Sequence, residues 1–470
     1  MYVHYWYRQL YYHKYNYDYN EAWRKVYYGG LKIYSAVDLT LQEELEDIYK
    51  NRSFVSALHN YGYYEHTDKN DKLPQSSMTI MDYQGRILAL VGGTGEKTAN
   101  RAYNRATDSR AKRQPGSSIK PLAVYAPAMD LGMITPASPI LEKAMYIDGR
   151  LWPRNFNGDH GYGGYISAQE ALVRSLNTVP VRILEEMLGH DNAMDYCNNH
   201  FHLNLTDKDK IPSLAVGGTN TGVTTLEMAA AFATFGNGGK YYKPYSYYKV
   251  LDRTGKAILD NTRNKPEQAL KLETANSCLS MMTKAVTQSN GTGYGSKINN
   301  FQTFAKTGTT SDNCDKWYCG GTPHFVTAVW YGYDYRADLR TYAENPAKRI
   351  FKYVIGQFSE GLPEKTFTDV IVECGGKESD ADVMLATSSY HSYTTTEAPS
   401  ETEDTTEEPT ESTEEPTSEP STEPSTEPST EPTSEPTTEP TTEPSTERPT
   451  EARPDEPTAD PDEPTIDAAA

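Results

Sequence analysis

The chain has no long apolar run. No window approaches 18 consecutive apolar residues, so no membrane-spanning helix is expected. Residues 1–28 are crowded with tyrosine and lack the apolar core of a secretory leader, so no signal peptide is expected there. Cysteine is scarce: five among 470 residues are too few for a disulfide framework. Cys314 and Cys319 lie close in sequence and read as free thiols, with pairing outside a cell as the alternative. No cluster of lysine and arginine points to nucleic acid, and no glycine-rich phosphate loop is present. His200-Phe201-His202 has the spacing of metal ligands but no evident third ligand, so neither a metal nor a cofactor is expected.

What the chain has in excess is acidity, and that excess is local. The net charge is −20 overall, but residues 391–470 hold 24 acidic residues and two arginines. That segment carries −22 and leaves the rest at +2. Glu-Pro recurs every four residues from Glu415-Pro416 to Glu443-Pro444, with threonine and serine between. Such a sequence has no apolar face to bury and cannot offset its ordering entropy. Proline and like-charge repulsion keep it extended. A disordered Thr/Glu/Pro/Ser-rich acidic tail over 391–470 is therefore expected, serving as a solvated spacer or a cell-wall stalk.

Ahead of the tail, the pattern is mixed. An extended segment over 29–38 is followed by helical spacing over 39–49. Residues 77–82 alternate, Tyr83-Gln84-Gly85 turns, and 86–92 run back, which predicts a hairpin with a largely buried second strand. Residues 301–305 and 325–331 are further core strands. Helical stretches fall at 121–130, 168–175, 179–188, 226–235 and 273–286. Strands separated by a long helical block imply an α+β domain, with helices on one side of an antiparallel sheet.

The chain's chemistry centres on Arg113-Gln114-Pro115-Gly116-Ser117-Ser118-Ile119-Lys120-Pro121. Pro115-Gly116 is turn chemistry, and Pro121 is tolerated only near a helix start. Ser117 should sit at the positive end of a helix with Lys120 on the same face. A serine hydroxyl attacks poorly unless a neighbouring base takes its proton. A lysine three residues on can do so if burial or another cation lowers its pKa. The spacing alone decides nothing, since Ser109–Lys112 and Ser246–Lys249 share it. Two further stretches add to it: Ser175-Leu176-Asn177 after the helical run, and Lys306-Thr307-Gly308-Thr309 after the strand-like 301–305.

The order Ser-x-x-Lys, Ser-x-Asn, Lys-Thr-Gly resembles penicillin-binding proteins and serine β-lactamases. The flanks narrow the resemblance. The 113–121 stretch, Gly29-Gly30-Leu31-Lys32-Ile33-Tyr34 and Ala231-Phe232-Ala233-Thr234-Phe235-Gly236-Asn237-Gly238-Gly239 are all similar to the transpeptidase half of class A penicillin-binding proteins, over roughly 29–390. The implied fold is α+β, a β-lactamase/transpeptidase-like antiparallel sheet flanked by helices. Residues 1–28 are then the remnant of an interdomain linker. The membrane anchor and glycosyltransferase domain of class A proteins are not expected in this chain, and glycan polymerisation is not assigned to it.

The resemblance also implies roles. Ser117 would attack the penultimate D-alanine carbonyl of a peptidoglycan stem peptide, with Lys120 as general base. Lys306, a like charge, would help keep Lys120 neutral. Ser175 would relay a proton to the leaving D-alanine, and Asn177 would bond the substrate amide and Lys120. Period two puts Lys306 and Gly308 on one strand face. Gly308, without a side chain, would let a peptide lie against the strand edge. Lys306, Thr307 and Thr309 would hold the substrate carboxylate, and the amides of Ser117 and Thr309 would form the oxyanion hole. Donor and acceptor stem peptides are the implied substrates and β-lactams the implied acylating inhibitors. Proteins of cell-wall synthesis or division are possible further partners, and the implied location is extracytoplasmic. Hydrolysis, by a DD-carboxypeptidase or a β-lactamase, is the nearest rival. A non-catalytic wall-binding stalk protein is the rival of another class. Trp152, Trp317 and Trp330 read as packing or cleft walls, and Gly217-Gly218, Gly238-Gly239 and Gly291-Thr292-Gly293 as loop punctuation.

Overall fold

The structure, a computed structural model, describes residues 19–51, 73–98, 103–339 and 345–377. Its centre is an antiparallel sheet of five strands. These are β2 (Gln75–Met81), β3 (Ile87–Val91), β6 (Phe304–Thr309), β7 (Asp315–Gly321) and β8 (Val326–Gly332). Their spatial order is β6-β7-β8-β2-β3. β2, β3 and β8 are buried at every residue. A strand buried on both faces needs cover on both, and it has it. Along β8, Ala328 and Trp330 join one apolar cluster, while Val329 and Tyr331 join another.

The first cluster lies under α5 (Thr225–Gly236) and α6 (Leu272–Thr287). The second lies under α2 (Leu39–Lys50) and α7 (Pro346–Phe358). The expectation of helices on one side is thus corrected: the sheet is sandwiched, because its central strands have no polar face to leave in water. α7 had no counterpart among the expected helices. Asn345 caps it, accepting from the amides of Ala347 and Lys348, and Ile350, Phe351, Val354, Ile355 and Phe358 face the sheet.

The β2–β3 hairpin forms where the alternation placed it. Asp82 closes its turn by accepting from the amides of Gln84 and Arg86. The strand expected over 301–305 instead begins at Phe304 and runs through Thr309. Thr303 accounts for the shift, since its hydroxyl accepts from the Ile298 amide and donates to the Phe301 carbonyl, holding that stretch as a loop. A second sheet joins β1 (Lys32–Ser35), β4 (Tyr247–Leu251) and β5 (Ala257–Asp260) in that order. α1 (Tyr19–Tyr28) packs Ala22 and Val26 onto Val250 and Leu259 of this sheet. The 1–28 lead-in, read from its sequence as helix-rich, ends in this helix; its first 18 residues lie outside the described residues.

The acidic tail expected over 391–470 also lies outside the described residues. All described residues belong to one compact unit. No helix among the described residues is long and apolar enough to cross a membrane.

Candidate active site

Three segments far apart in sequence meet at the β6 edge of the sheet. The first is the 113–121 stretch. Gly116–Ile119 forms a 3-10 turn, closed by the Lys120 amide on the Ser117 carbonyl. In such a turn residues three apart eclipse one another, so Ser117 and Lys120 stack more directly than an α-helix would allow. The helix expected over 121–130 opens with a wide turn at Pro121–Tyr125, where the Ala126 amide bonds the Pro121 carbonyl, and ends in the α-turn Ala126–Asp130. Pro121 and Pro127 lack amide donors, which breaks the regular ladder.

Neighbours hold the 3-10 turn against β6. The Trp317 indole donates to the Gln114 carbonyl at 2.8 Å, and the Gln114 side chain donates to the Thr219 carbonyl at 2.8 Å. Gly116 has φ +52, and a Cβ there would lie 2.5 Å from the Thr309 carbonyl oxygen. That close approach brings Ser117, which is half-buried, beside Thr309.

The second segment is the joint between α3 (Ala168–Val173) and α4 (Thr178–Ile183). Ser175 has φ +57. Its amide bonds the Leu172 carbonyl and the Leu176 amide bonds the Ala171 carbonyl, both at 3.0 Å. This is the Schellman closure of a helix end, with serine at the left-handed position where glycine is usual. The unusual backbone turns both oxygens of Ser175 inward. Its carbonyl accepts from Lys120 Nζ at 2.9 Å, and its Oγ accepts from Lys306 Nζ at 2.7 Å.

Asn177 precedes α4. Its Oδ1 accepts from Lys120 Nζ at 2.7 Å, and one hydrogen of its Nδ2 goes to the Arg154 carbonyl at 2.7 Å. An amide nitrogen has two hydrogens, so the second remains for a substrate. The Leu176 carbonyl gives Lys120 a third acceptor at 2.8 Å. Behind Asn177, Asn155 accepts from its backbone amide at 2.8 Å and donates to Glu142 at 2.7 Å. Glu142 is buried and also accepts from the Thr178 hydroxyl and the Tyr162 amide.

The third segment is β6. Lys306 is fully buried, and its Nζ donates to Ser175 Oγ and, at 3.1 Å, to the Thr307 carbonyl. Lys306 and Gly308 share a face as the two-residue period requires. The open side of Gly308 is already occupied: a Cβ there would lie 2.3 Å from the Pro115 carbonyl oxygen and 2.8 Å from Trp317 Cβ. Its missing side chain makes room for the nucleophile turn. The Thr307 hydroxyl donates to Thr292 Oγ1 at 2.8 Å.

Burial dominates the electrostatics. Desolvation, and after it the charge of Lys306, push Lys120 well below the usual lysine range. Burial lowers Lys306 to about 7. Two fully buried amines linked through Ser175 are thus both biased toward the neutral state, the one in which an amine is a base.

Ser117, Lys120, Ser175, Asn177, Lys306, Thr307, Gly308 and Thr309 all converge here. Asn155, Glu142 and Lys316 join the site beyond the motif residues, and Thr292 comes from the glycine-flanked loop at 291–293. Asn155 and Glu142 bear no local signal, because their partners are 22 and 36 residues away. Cys314 and Cys319 are free and buried, as are the other three cysteines. Cys319 lies four residues into β7, so about 13 Å of extended backbone separates it from the strand's start, beyond disulfide reach of Cys314.

Comparisons with known proteins show what the chain is similar to. Residues 76–343 match the penicillin binding protein transpeptidase domain family. Penicillin-binding protein 1A of Clostridium botulinum is 33% identical over 362 residues, which cover 75% of this chain and 42% of that protein. Penicillin-binding protein 1F of Bacillus subtilis is 30% identical over 338 residues, covering 71% and 44%. The chain therefore spans less than half the length of these relatives. Among solved structures, the PonA1 protein of Mycobacterium tuberculosis in complex with penicillin V is similar in fold, with a TM-score of 0.61 and 20% identity, covering 77% of this chain and 93% of that one. With the three motifs meeting at one strand edge and the match running through all of them, the chain belongs to the penicillin-binding protein transpeptidase family.

Proposed function

We propose that the chain is a serine DD-transpeptidase acting on peptidoglycan stem peptides. The observation that carries this reading is the convergence one tight turn from Ser117 of Lys120, donating to the Ser175 carbonyl and Asn177 Oδ1, and Lys306, donating to the Ser175 hydroxyl. Neutral Lys120 takes the Ser117 proton as Oγ bonds the penultimate D-alanine carbonyl. The tetrahedral oxyanion is held by the amides of Ser117 and Thr309, an arrangement in which each donor is worth about 3 kcal/mol. As the peptide bond breaks, Ser175 relays a proton to the departing D-alanine amine. An acceptor amine from a second stem peptide then attacks the ester, giving a cross-link and restoring Ser117. Asn177 offers its second amide hydrogen to the substrate. Lys306, Thr307 and Thr309 face the terminal carboxylate, with Gly308 letting the nucleophile turn pack close to them.

In this reading the transpeptidase domain covers 29–390, preceded by 1–28 and followed by the acidic tail of 391–470. It works outside the cytoplasm, where stem peptides are, beside proteins of cell-wall synthesis or division. β-Lactams acylate Ser117 because they mimic the D-alanyl-D-alanine end.

Incubation with a fluorescent penicillin tests the reading. The expected result is persistent covalent labelling of the protein and none of Ser117→Ala. Rapid release of hydrolysed drug would replace transpeptidation by hydrolysis. Absence of label on the folded protein would favour a non-catalytic wall-binding role.

A further inference from the structure

Beside Thr309 lies a third buried lysine that no motif contains. Lys316 is the cross-strand partner of Thr309 in the β6–β7 pair, so the two side chains share a face of the sheet. It is 5% exposed. Its Nζ donates to Thr309 Oγ1 at 3.4 Å, and this is its one hydrogen bond among the described residues. An ammonium has three donors, so two are left over in a place where water hardly reaches. No carboxylate among the described residues lies within ion-pair distance of it; Asp338 acts on it only from farther off. Burying a lone ammonium is costly unless an anion meets it.

Lys306, on the opposite face of β6, is committed elsewhere. Lys306 spends its hydrogens on Ser175 Oγ and the Thr307 carbonyl, which ties it to proton transfer. Burial lowers both amines. The cation that stands directly beside the hydroxyl of Thr309 is on β7.

We propose that Lys316 is a further substrate-binding residue, whose ammonium meets the terminal carboxylate of the donor peptide, or of a β-lactam, together with Thr309. This rests on the transpeptidase reading of the site. Lys306 is shared between the proton path and the carboxylate, and Lys316 adds a charge for the ligand alone.

Acylation of Ser117 by benzylpenicillin and by its methyl ester tests the proposal, since the ester has the same ring and no anion. The wild type should favour the acid, and Lys316→Met should lower the acid-to-ester ratio of acylation efficiencies about tenfold, the lower end for a charge-assisted hydrogen bond. Lys316→Arg should keep most of the preference. Thermal unfolding checks that each variant is folded, and Lys316→Gln replaces Lys316→Met if the latter is not. Equal losses for acid and ester, or an unchanged ratio, would overturn the proposal, as would a wild type indifferent to the ester. Failure of both compounds to acylate the wild type at Ser117 would instead sink the transpeptidase reading itself.

Discussion

Lys306 shows what this site demands of single residues. A lysine with no exposure is held near a pKa of 7, against 10.5 when free. Its folded pKa is lowered, so between those values the unfolded chain binds more protons and stability rises with pH through that window. Below about pH 7 the full burden of the buried charge is present. Lys306→Met should therefore abolish acylation while stabilising the fold by about 1–4 kcal/mol at pH 6, the range seen when buried charges give way to apolar groups. The advantage over the wild type should shrink by up to about 1.4 kcal/mol per pH unit above pH 7. Urea unfolding of both proteins at pH 6, 7 and 8.5 measures it; a constant gap would contradict the assigned cause. Ser175 is a similar case, a non-glycine in left-handed backbone. Such positions typically cost on the order of 1 kcal/mol and persist where the surroundings over-determine them.

At the scale of elements, the site is a matter of one strand edge meeting one turn. β6 presents Gly308 to the Pro115 carbonyl at a separation that leaves no room for a methyl group. Gly308→Ala should push the turn outward, costing about 1–3 kcal/mol in stability. It should also slow penicillin acylation by on the order of 100-fold, because a shift of about 1 Å misplaces a nucleophile. Stopped-flow labelling beside a thermal melt separates the two effects, and full acylation speed in a destabilised variant would disprove the coupling.

Much at this scale was legible in sequence. The hairpin at β2–β3, the helices α5 and α6, and the order of the motifs all follow from local patterns. α7 has an open signature, with Asn345 and Pro346 at its start and apolar residues at 350, 351, 354, 355 and 358. The second helical layer went unexpected because periodicity says which face of a helix is apolar but not which sheet face it will cover. The start of β6 was missed by a few residues, since the hydrogen bonds of one threonine outweigh a run of β-favouring residues.

For the whole molecule, charge and proline divide the chain more sharply than any fold boundary. A chain ending at residue 390 should unfold within about 0.5 kcal/mol of the full chain and take up penicillin at the same rate, as expected for removal of a segment with no apolar face. Ending it at 365 removes α8 (Phe367–Glu373). Phe367 of α8 packs edge-on against Tyr83 and Phe304, with ring centroids 5.9 and 5.5 Å apart. That loss should cost at least about 3 kcal/mol, as for deleting a large core side chain, and equilibrium melts of the two truncations compare them. The sequence by itself determined the reactive groups, their order, and the separation of an acidic Pro-rich tail from a near-neutral body, because residue type and local spacing are written along the chain. Only the tertiary structure decided how burial and hydrogen bonds retune those groups: that Lys306 leans on Ser175, that Asn155 and Glu142 brace Asn177, and that Lys316 stands beside Thr309. A pKa and a contact depend on what lies across the fold, and that is set by how segments pack, whether seven residues apart, as for Lys316 and Thr309, or 131, as for Lys306 and Ser175.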